Sequence, residues 1–586
     1  MNFSDRLTAV RATIAAQGLA GFLIPHADEH LAEYLPASAE RLAWLTGFTG
    51  SAGMACVLAD QAAIWSDGRY VLQLAAQTDG ALWQRLHLTE TPLAPWIAAA
   101  IGAGVLGYDP WLTSEESLRP FRDAGITLRA GANPVDPNWH DRPAPPDGPA
   151  VPHALDYAGQ SSAAKREALA ATLTAQKQDA AVISDPTSLA WLLNIRGTDV
   201  EATPMALGFG LLHADAHVDL FMDGGKLTAE TRAWLGNQVG IAERAALPAS
   251  LAKLGGKRVR VDATNTAAWF ADTLRAAGAT VVHGADPCLI PKARKNATEQ
   301  GGARAAHARD GVALCRFLHW LRDAGGRETE ISASDRLESF RAEGALFRGV
   351  SFPSISGAGE HGAIMHYRAT PESNRAIKVN EIYLIDSGGQ YLDGTTDVTR
   401  TVWTGPDAPP QALRDQYTRV LRGHIAIATA IFPHDVAGVR LDAFARAALW
   451  QVGLDFDHGT GHGVGSYLSV HEGPISISPH LRPAVLAEGM IVSNEPGYYL
   501  PGSHGMRIEN LLLIRPAEFP SGKPFLRFED LTLAPYDRVL IDTTLLRQDE
   551  RAWIDAYHAR VLREIGPHVP PDVAAWLAAA CAPLEP

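Results

Sequence analysis

Five acid or imidazole side chains in the C-terminal half stand on, or just beyond, segments that read as strands. Asp386 closes the apolar run IYLI, Asp397 lies on the return strand, His462 sits within HGTGHGVGS, Glu495 within SNEPGYY and Glu509 within MRIENLLLI. A carboxylate ending an apolar run is costly to bury without a partner. A return strand can bring Asp397 beside Asp386, where two carboxylates repel unless a proton or a cation lies between them. Pro496 and Gly497 turn the chain directly after Glu495, and the glycines around His462 let backbone pack closely on an imidazole. Four carboxylates and one histidine form a hard, oxygen-rich donor set. It suits Mn²⁺, Mg²⁺, Co²⁺ or Zn²⁺ in a two-metal site better than a cysteine-lined structural zinc site. Two such ions about 3.5–4 Å apart activate water against a carbonyl. Each residue alone has a plainer reading, as a turn aspartate or a hydrogen-bonded structural histidine, so residue types and spacing by themselves leave both readings open.

The elements that must hold these side chains alternate helix and strand. EIYLIDSGGQYLDGTTDVTRTVWTG reads as two strands joined by Gly-rich turns, and MIVSNEPGYYL and MRIENLLLI as further strands. DQYTRVLRGHIAIATAIF and LDAFARAALWQVG read as helices, and the spacing of apolar residues predicts another from Glu299 to about Gly325. Upstream, LAWLTGFTG at 42–50 is echoed by LAWLLNIRG at 189–197, 147 residues later (189 − 42). Each follows a strand-like run, GFLI or AAVI, and each precedes an Asp-Gly turn, Asp67-Gly68 or Asp223-Gly224. A repeat of this length indicates a duplicated domain rather than a solenoid. A Pro-rich connector, DRPAPPDGPAVPHAL, separates the copies. The expected organisation is α/β (α+β): domains at 1–150 and 151–293, then a catalytic domain at 294–586.

A chain of 586 residues exceeds what one core supports. Its net charge of −14 repels polyanions on average, and no basic cluster points to nucleic acid. The N-terminus, broken by Asp5, Arg6 and Arg11, reads as an amphipathic helix and a strand rather than a signal peptide, and no apolar stretch suggests a membrane span. The four scattered cysteines form no C-x-x-C pair and read as thiols of a reducing compartment, so the cytoplasm is the expected location. No G-x-S-x-G elbow supports a serine hydrolase. GTGHGVG carries valine where a dinucleotide fingerprint needs its last glycine.

IDSGGQYLDGTTDVTRT, HGTGHGVGSYLSVHEGP, NEPGYY and GMRIEN, in this order and spacing, resemble the aminopeptidase P branch of the pita-bread metallopeptidases. SFPSISGAGEHGAIMHY resembles the same branch, and GFTGSAG, WSDGRY and LAWLLNIRGTDVEATP resemble its three-domain Xaa-Pro aminopeptidases, so the likeness spans nearly the whole chain. It implies two creatinase-like N-terminal domains and a pita-bread catalytic domain. It also implies two divalent ions, usually Mn²⁺. His462 and Glu495 would bind one ion and Asp386 the other, with Asp397 and Glu509 bridging. The implied reaction removes an N-terminal residue when proline is second, in a homodimer, with Glu495 as proton acceptor. His366 and His471 would contact substrate and stabilise the tetrahedral intermediate. His458 would be a further active-site histidine. Arg507 would steer Glu509 and a ligand carboxylate, with Tyr499 assisting, and Arg69 of DGRY would reach an active site. No ligand is missing. A prolidase acting on dipeptides, or a non-catalytic pita-bread binding module, are the rival readings. Three domains argue against the first and the intact ligand set against the second.

Overall fold

Apolar runs separated by Asp-Gly turns build two sheets of the same design in the first half of the chain. The computed structural model describes residues 1–585 and divides into two units, Met1–Leu155 with Gln160–Leu289, and Asp156–Gly159 with the chain from Ile290 onward. The first unit holds two six-stranded sheets. One runs in the order Gln84–His87, Ala62–Ser66, Met54–Leu58, Gly21–Pro25, Val105–Tyr108, Thr127–Ala130. The other runs Val239–Ala242, Val218–Phe221, Phe209–His213, Ala180–Ile183, Arg258–Val261, Thr280–His283. In both, two adjacent inner pairings are antiparallel and the remaining three are parallel.

The echoed nine-residue stretch does the same job in each copy. Helix Arg41–Thr46 ends at Gly47 with φ +83°, and helix Pro186–Leu193 ends at Asn194, the matching position, with φ +50°. Glycine and asparagine tolerate this left-handed cap, which turns each chain back toward its sheet. Each Asp-Gly turn likewise leaves the strand next to the sheet edge, Ala62–Ser66 or Val218–Phe221. Phe22, Ile24, Val57 and Ile64 fill one core, and Val182, Leu211, Phe221 and Phe270 the other.

In the second unit, helix Ala297–Leu321 begins at Asn296, whose side chain caps the backbone N–H of Glu299 while Glu299 reciprocates. The segment expected to give two strands gives four. Ile382–Ser387 and Val398–Trp403 pair with each other, and Ile355–Ala358 adds to the former. Between them Gly389–Tyr391 and Gly394–Thr395 form a separate sheet with Phe347–Val350. The switch is at Gly388, where a Cβ would stand 2.0 Å from the Thr396 carbonyl oxygen, so the chain changes sheets at a close approach only glycine permits. A four-stranded sheet runs Ile431–Pro433, Phe525–Asp530, Asn510–Ala517, Ile491–Asn494, and the hairpin Gly497–Leu500/His504–Arg507 continues from it. Helices Gln411–Ala428 and Val439–Trp450 join this sheet in a core that includes Val420, Leu421, Leu449, Val492, Leu512 and Ile514. Among the described residues no helix is long and apolar enough to cross a membrane.

That core contains two imidazoles held neutral. Burial, reinforced by Arg400, lowers both His424 and His558 to about 3. His424 Nε2 meets the Tyr536 hydroxyl at 3.0 Å, and His558 Nε2 accepts from the Tyr536 backbone N–H at 3.1 Å. Folded pKa values below the unfolded value of about 6.5 mean stability present above that pH and lost as pH falls toward 3. Burial raises Asp530 and Asp537 to about 6, which opposes this trend between pH 6 and the usual carboxylate range. The comparison of His558→Gln with wild type isolates the effect. The thermal midpoint of the variant should fall less steeply between pH 6.5 and 4, and parallel curves would show that His558 does not take up a proton on unfolding.

Candidate metal centre

The four carboxylates leave the backbone where strands end or break. Asp386 is penultimate in Ile382–Ser387, and Asp397 immediately precedes Val398–Trp403 rather than lying within it. The two expected strands around Glu495 and Glu509 are each interrupted at those residues, between Ile491–Asn494 and Gly497–Leu500 and between His504–Arg507 and Asn510–Ala517. Backbone bonds fix the breaks: Glu509 N–H donates to Thr399 O at 3.1 Å, Ile508 N–H to Pro496 O at 3.2 Å and Glu495 N–H to Thr460 O at 2.8 Å. His462 ends a two-residue strand paired with Ser476–Ile477, where a loop was expected. Its neighbours must be glycine, since a Cβ on Gly461 would lie 1.9 Å from Ser493 O and one on Gly463 2.2 Å from Glu472 O.

These elements bring all five side chains together. Ligand atoms of Asp397, His462 and Glu509 lie within 4.8 Å of one another. His462 Nε2 is 3.6 Å from Asp397 Oδ2 and 3.5 Å from Glu495 Oε1, while its Nδ1 faces Gly463 O at 3.0 Å and so presents Nε2 inward. The Arg507 guanidinium donates from Nη2 to Asp386 Oδ2 at 2.7 Å, from Nε to Thr399 Oγ1 at 3.2 Å and from Nη1 to the Tyr499 hydroxyl at 2.6 Å. Thr399 in turn donates to Glu509 Oε2 at 2.8 Å.

One arginine does not neutralise four carboxylates. Burial, then Asp386 and Glu495, pushes Asp397 well above the ordinary carboxylate range. Burial, then Asp397, Asp386 and Glu495, does the same to Glu509. Burial raises Glu495 to about 7, with Asp386 adding to the rise and Arg507 and His471 opposing it. Asp386 Oδ1 and Asp397 Oδ1 are buried without a hydrogen-bond partner. Buried acceptors of this kind, in a cluster that would otherwise have to hold protons, fit a pair of divalent cations.

The His471 ring stands edge-on to His462, centroids 4.3 Å apart. His366 is half-buried, and the carbonyl of its neighbour Met365 accepts from Arg507 Nη2 at 3.3 Å. His458 pairs Nδ1 with Gly459 O at 2.7 Å and Nε2 with the Tyr499 hydroxyl at 2.8 Å, extending the chain Asp386–Arg507–Tyr499–His458. Burial raises the Tyr499 hydroxyl to about 12 against the pull of Arg507, so it stays protonated in that chain. Arg69 belongs to the first unit, where it pairs with Asp67 at 2.8 Å and lies 3.9 Å from Glu33.

Three participants escaped the sequence reading. Thr399 links Arg507 to Glu509, and Ser493 Oγ accepts from His462 N–H at 2.9 Å and donates to Glu495 at 3.3 Å. Glu472, beside His471, is buried with Lys295, which donates to it, and with Lys292 Nζ at 3.8 Å. No spacing rule marks a hydroxyl, and lysines in PKARKN look exposed until the fold buries them.

Residues 301–516 match the model of metallopeptidase family M24, and 524–584 match the C-terminal region that accompanies it. Residues 6–122 and 141–299 match two creatinase/prolidase N-terminal domain models. The chain is 38% identical to a probable Xaa-Pro aminopeptidase P of Laccaria bicolor, over 100% of this chain and 94% of the relative. It is 36% identical to aminopeptidase P1 of Lotus japonicus, over 99% of each. Among solved structures, the X-prolyl aminopeptidase of Caenorhabditis elegans, described as a cytosolic enzyme with a di-nuclear active site, superposes with a TM-score of 0.95. That match has 34% identity and covers 100% of both chains.

Proposed function

Because the chain belongs to metallopeptidase family M24, in its aminopeptidase P group, we propose that it is a dinuclear metal-dependent aminopeptidase releasing the N-terminal residue of peptides with proline second. The observation that carries this reading is the buried cluster of Asp386, Asp397, His462, Glu495 and Glu509 with its partnerless carboxylate oxygens. His462 and Glu495 would hold one ion, Asp386 the other, and Asp397 and Glu509 both. When bound, the ions would supply Lewis acidity at the scissile carbonyl and a water nucleophilic at neutral pH.

The protein's own groups do the rest. Glu495 accepts the proton of the attacking water and returns it to the proline nitrogen as the carbonyl carbon–nitrogen bond breaks. His471 stands beside His462 to stabilise the oxyanion, and His366 contacts the substrate. Arg507 fixes Asp386 directly and Glu509 through Thr399, and Tyr499 and His458 brace it. Proline's tertiary amide has no N–H, so the site needs no acceptor aimed at that nitrogen.

His471→Ala should retain both ions yet lower kcat by about 10²-fold, as removal of an oxyanion donor does; loss of metal instead would make His471 a ligand. A tripeptide with proline second should be cleaved and a dipeptide ending in proline should not. The opposite preference would favour a prolidase.

The oxygen-rich donor set admits Mn²⁺, Zn²⁺, Co²⁺ or Mg²⁺, and the family resemblance favours Mn²⁺ among them. A cytoplasmic location is consistent with four buried, unlinked cysteines. A homodimer is consistent with the exposed Phe444, Trp450 and Val452 on and just after helix Val439–Trp450. Domain limits at 1–150, 151–293 and 294–586 complete the proposal.

A further inference from the structure

We infer that Glu330 is a positioning residue for the active site, acting through the segment 358–367 that carries His366; this rests on the reading of the site given above. Glu330 is the first residue of helix Glu330–Ala342, capped by Thr329, and is 0% exposed. A buried carboxylate is expensive unless its lone pairs are filled, and here three of its four donors come from that one segment. Oε1 accepts from Ala358 N–H at 2.9 Å and His361 Nδ1 at 2.9 Å. Oε2 accepts from His361 Nδ1 at 3.0 Å, the Tyr367 hydroxyl at 2.9 Å and Arg375 N–H at 3.3 Å. The helix N-terminus further favours the negative charge. The His361 and Tyr367 rings lie against each other, centroids 4.4 Å apart, so both ends of the turn are gripped at one point.

The other side of this segment faces the metal centre. The turn Gly359–Ala363 packs on strand His504–Arg507 so closely that a Cβ on Gly505 would stand 1.8 Å from Gly362 O. Two residues on, Met365 O accepts from the same Arg507 Nη2 that holds Asp386. His366 lies between this contact and Tyr367, which Glu330 binds. The carboxylate therefore sets where the His366 segment stands against the ligand-bearing strands. No metal ligand touches Glu330, so its loss should misplace a substrate-facing side chain while leaving the ions in place. A glutamine there would turn an NH₂ toward donors and could not serve all four.

The test uses the metal-loaded full chain and a tripeptide with proline second. Glu330→Gln should keep two ions per chain and lose about tenfold or more in kcat, the scale on which small misplacements cost rate. His361→Leu should also lose kcat, and His361→Asn, which keeps a donor near the Nδ1 position, should recover most of that loss. A cooperatively folded Glu330→Gln protein with wild-type kcat would overturn the inference by showing a merely structural role. Loss of metal in step with activity would overturn it by routing the effect through the ligands. If Glu330→Gln does not fold, the His361 pair decides: equal rates in the two variants would overturn it. A metal-loaded wild type that fails to cleave the tripeptide would instead bring down the functional reading, and this inference with it.

Discussion

Asp397→Asn should leave the protein with fewer than two ions per chain and lower kcat/KM by at least about 10³-fold, more than loss of a single oxyanion donor costs. The change is nearly isosteric, so packing is preserved and only charge and ligating power are lost. Asp397 Oδ1 is a buried acceptor with no partner and Oδ2 is 3.6 Å from His462 Nε2, which puts the group beside another proposed ligand. The same substitution should have the reverse effect on the metal-free protein. Burial, Asp386 and Glu495 all disfavour the Asp397 charge. A carboxyl raised in the folded state binds a proton more tightly there than when unfolded, so its contribution to stability falls as pH rises above the usual carboxylate range. Metal-free Asp397→Asn should therefore unfold at neutral pH at no lower temperature than metal-free wild type. Elemental analysis and thermal unfolding after chelation check both halves. Two ions and near-wild-type kinetics in the variant would remove Asp397 from the ligand set.

Arg507→Lys is the second large effect. The guanidinium serves Asp386, Thr399 and Tyr499 from three different nitrogens, and Met365 O shares one of them. A lysine ammonium is a compact point charge and cannot reproduce that fork. Losing an outer partner of a ligand typically costs about 10–100-fold in metal affinity or activity, and both Asp386 and Glu509 depend on this residue. Truncation to Arg507→Met should be worse, because breaking a buried ion pair by removing one partner costs about 3–5 kcal/mol. Denaturant unfolding and metal titration of the two variants separate the losses. A lysine variant with wild-type metal affinity and rate would show that charge alone, rather than the fork, is what the site requires.

The candidate residues of this site are legible in the chain because burying charge is expensive, although it is the resemblance of the motifs to aminopeptidase P that decides between a metal centre and a structural role. A carboxylate at the end of IYLI or inside MRIENLLLI needs a partner, and a cation is one that would satisfy it. The duplication is legible for a local reason as well, since the nine-residue echo encodes one helix and its left-handed cap at Gly47 and Asn194. What stayed hidden depends on distant partners. Pro496 announces a break at Glu495, but the break at Glu509 is set by hydrogen bonds to Thr399 and Pro496, which periodicity cannot reveal. His462 reads as loop because its strand is two residues long and its partner, Ser476–Ile477, lies beyond a further Gly-rich turn. The inner strand pair 389–395 looks like a turn because the chain changes sheets at Gly388. Thr399, Ser493 and Glu330 are invisible for the same reason, since each matters through what folding places against it.

The most direct test of the central claim is to titrate divalent metal into chelated protein while measuring cleavage of two tripeptides that differ only in proline or alanine at the second position. Activity on the proline peptide should rise to saturation as occupancy approaches two ions per chain, with the alanine peptide cleaved far more slowly throughout. Full activity in the stripped protein, saturation without bound metal, or equal cleavage of the two peptides would contradict the account.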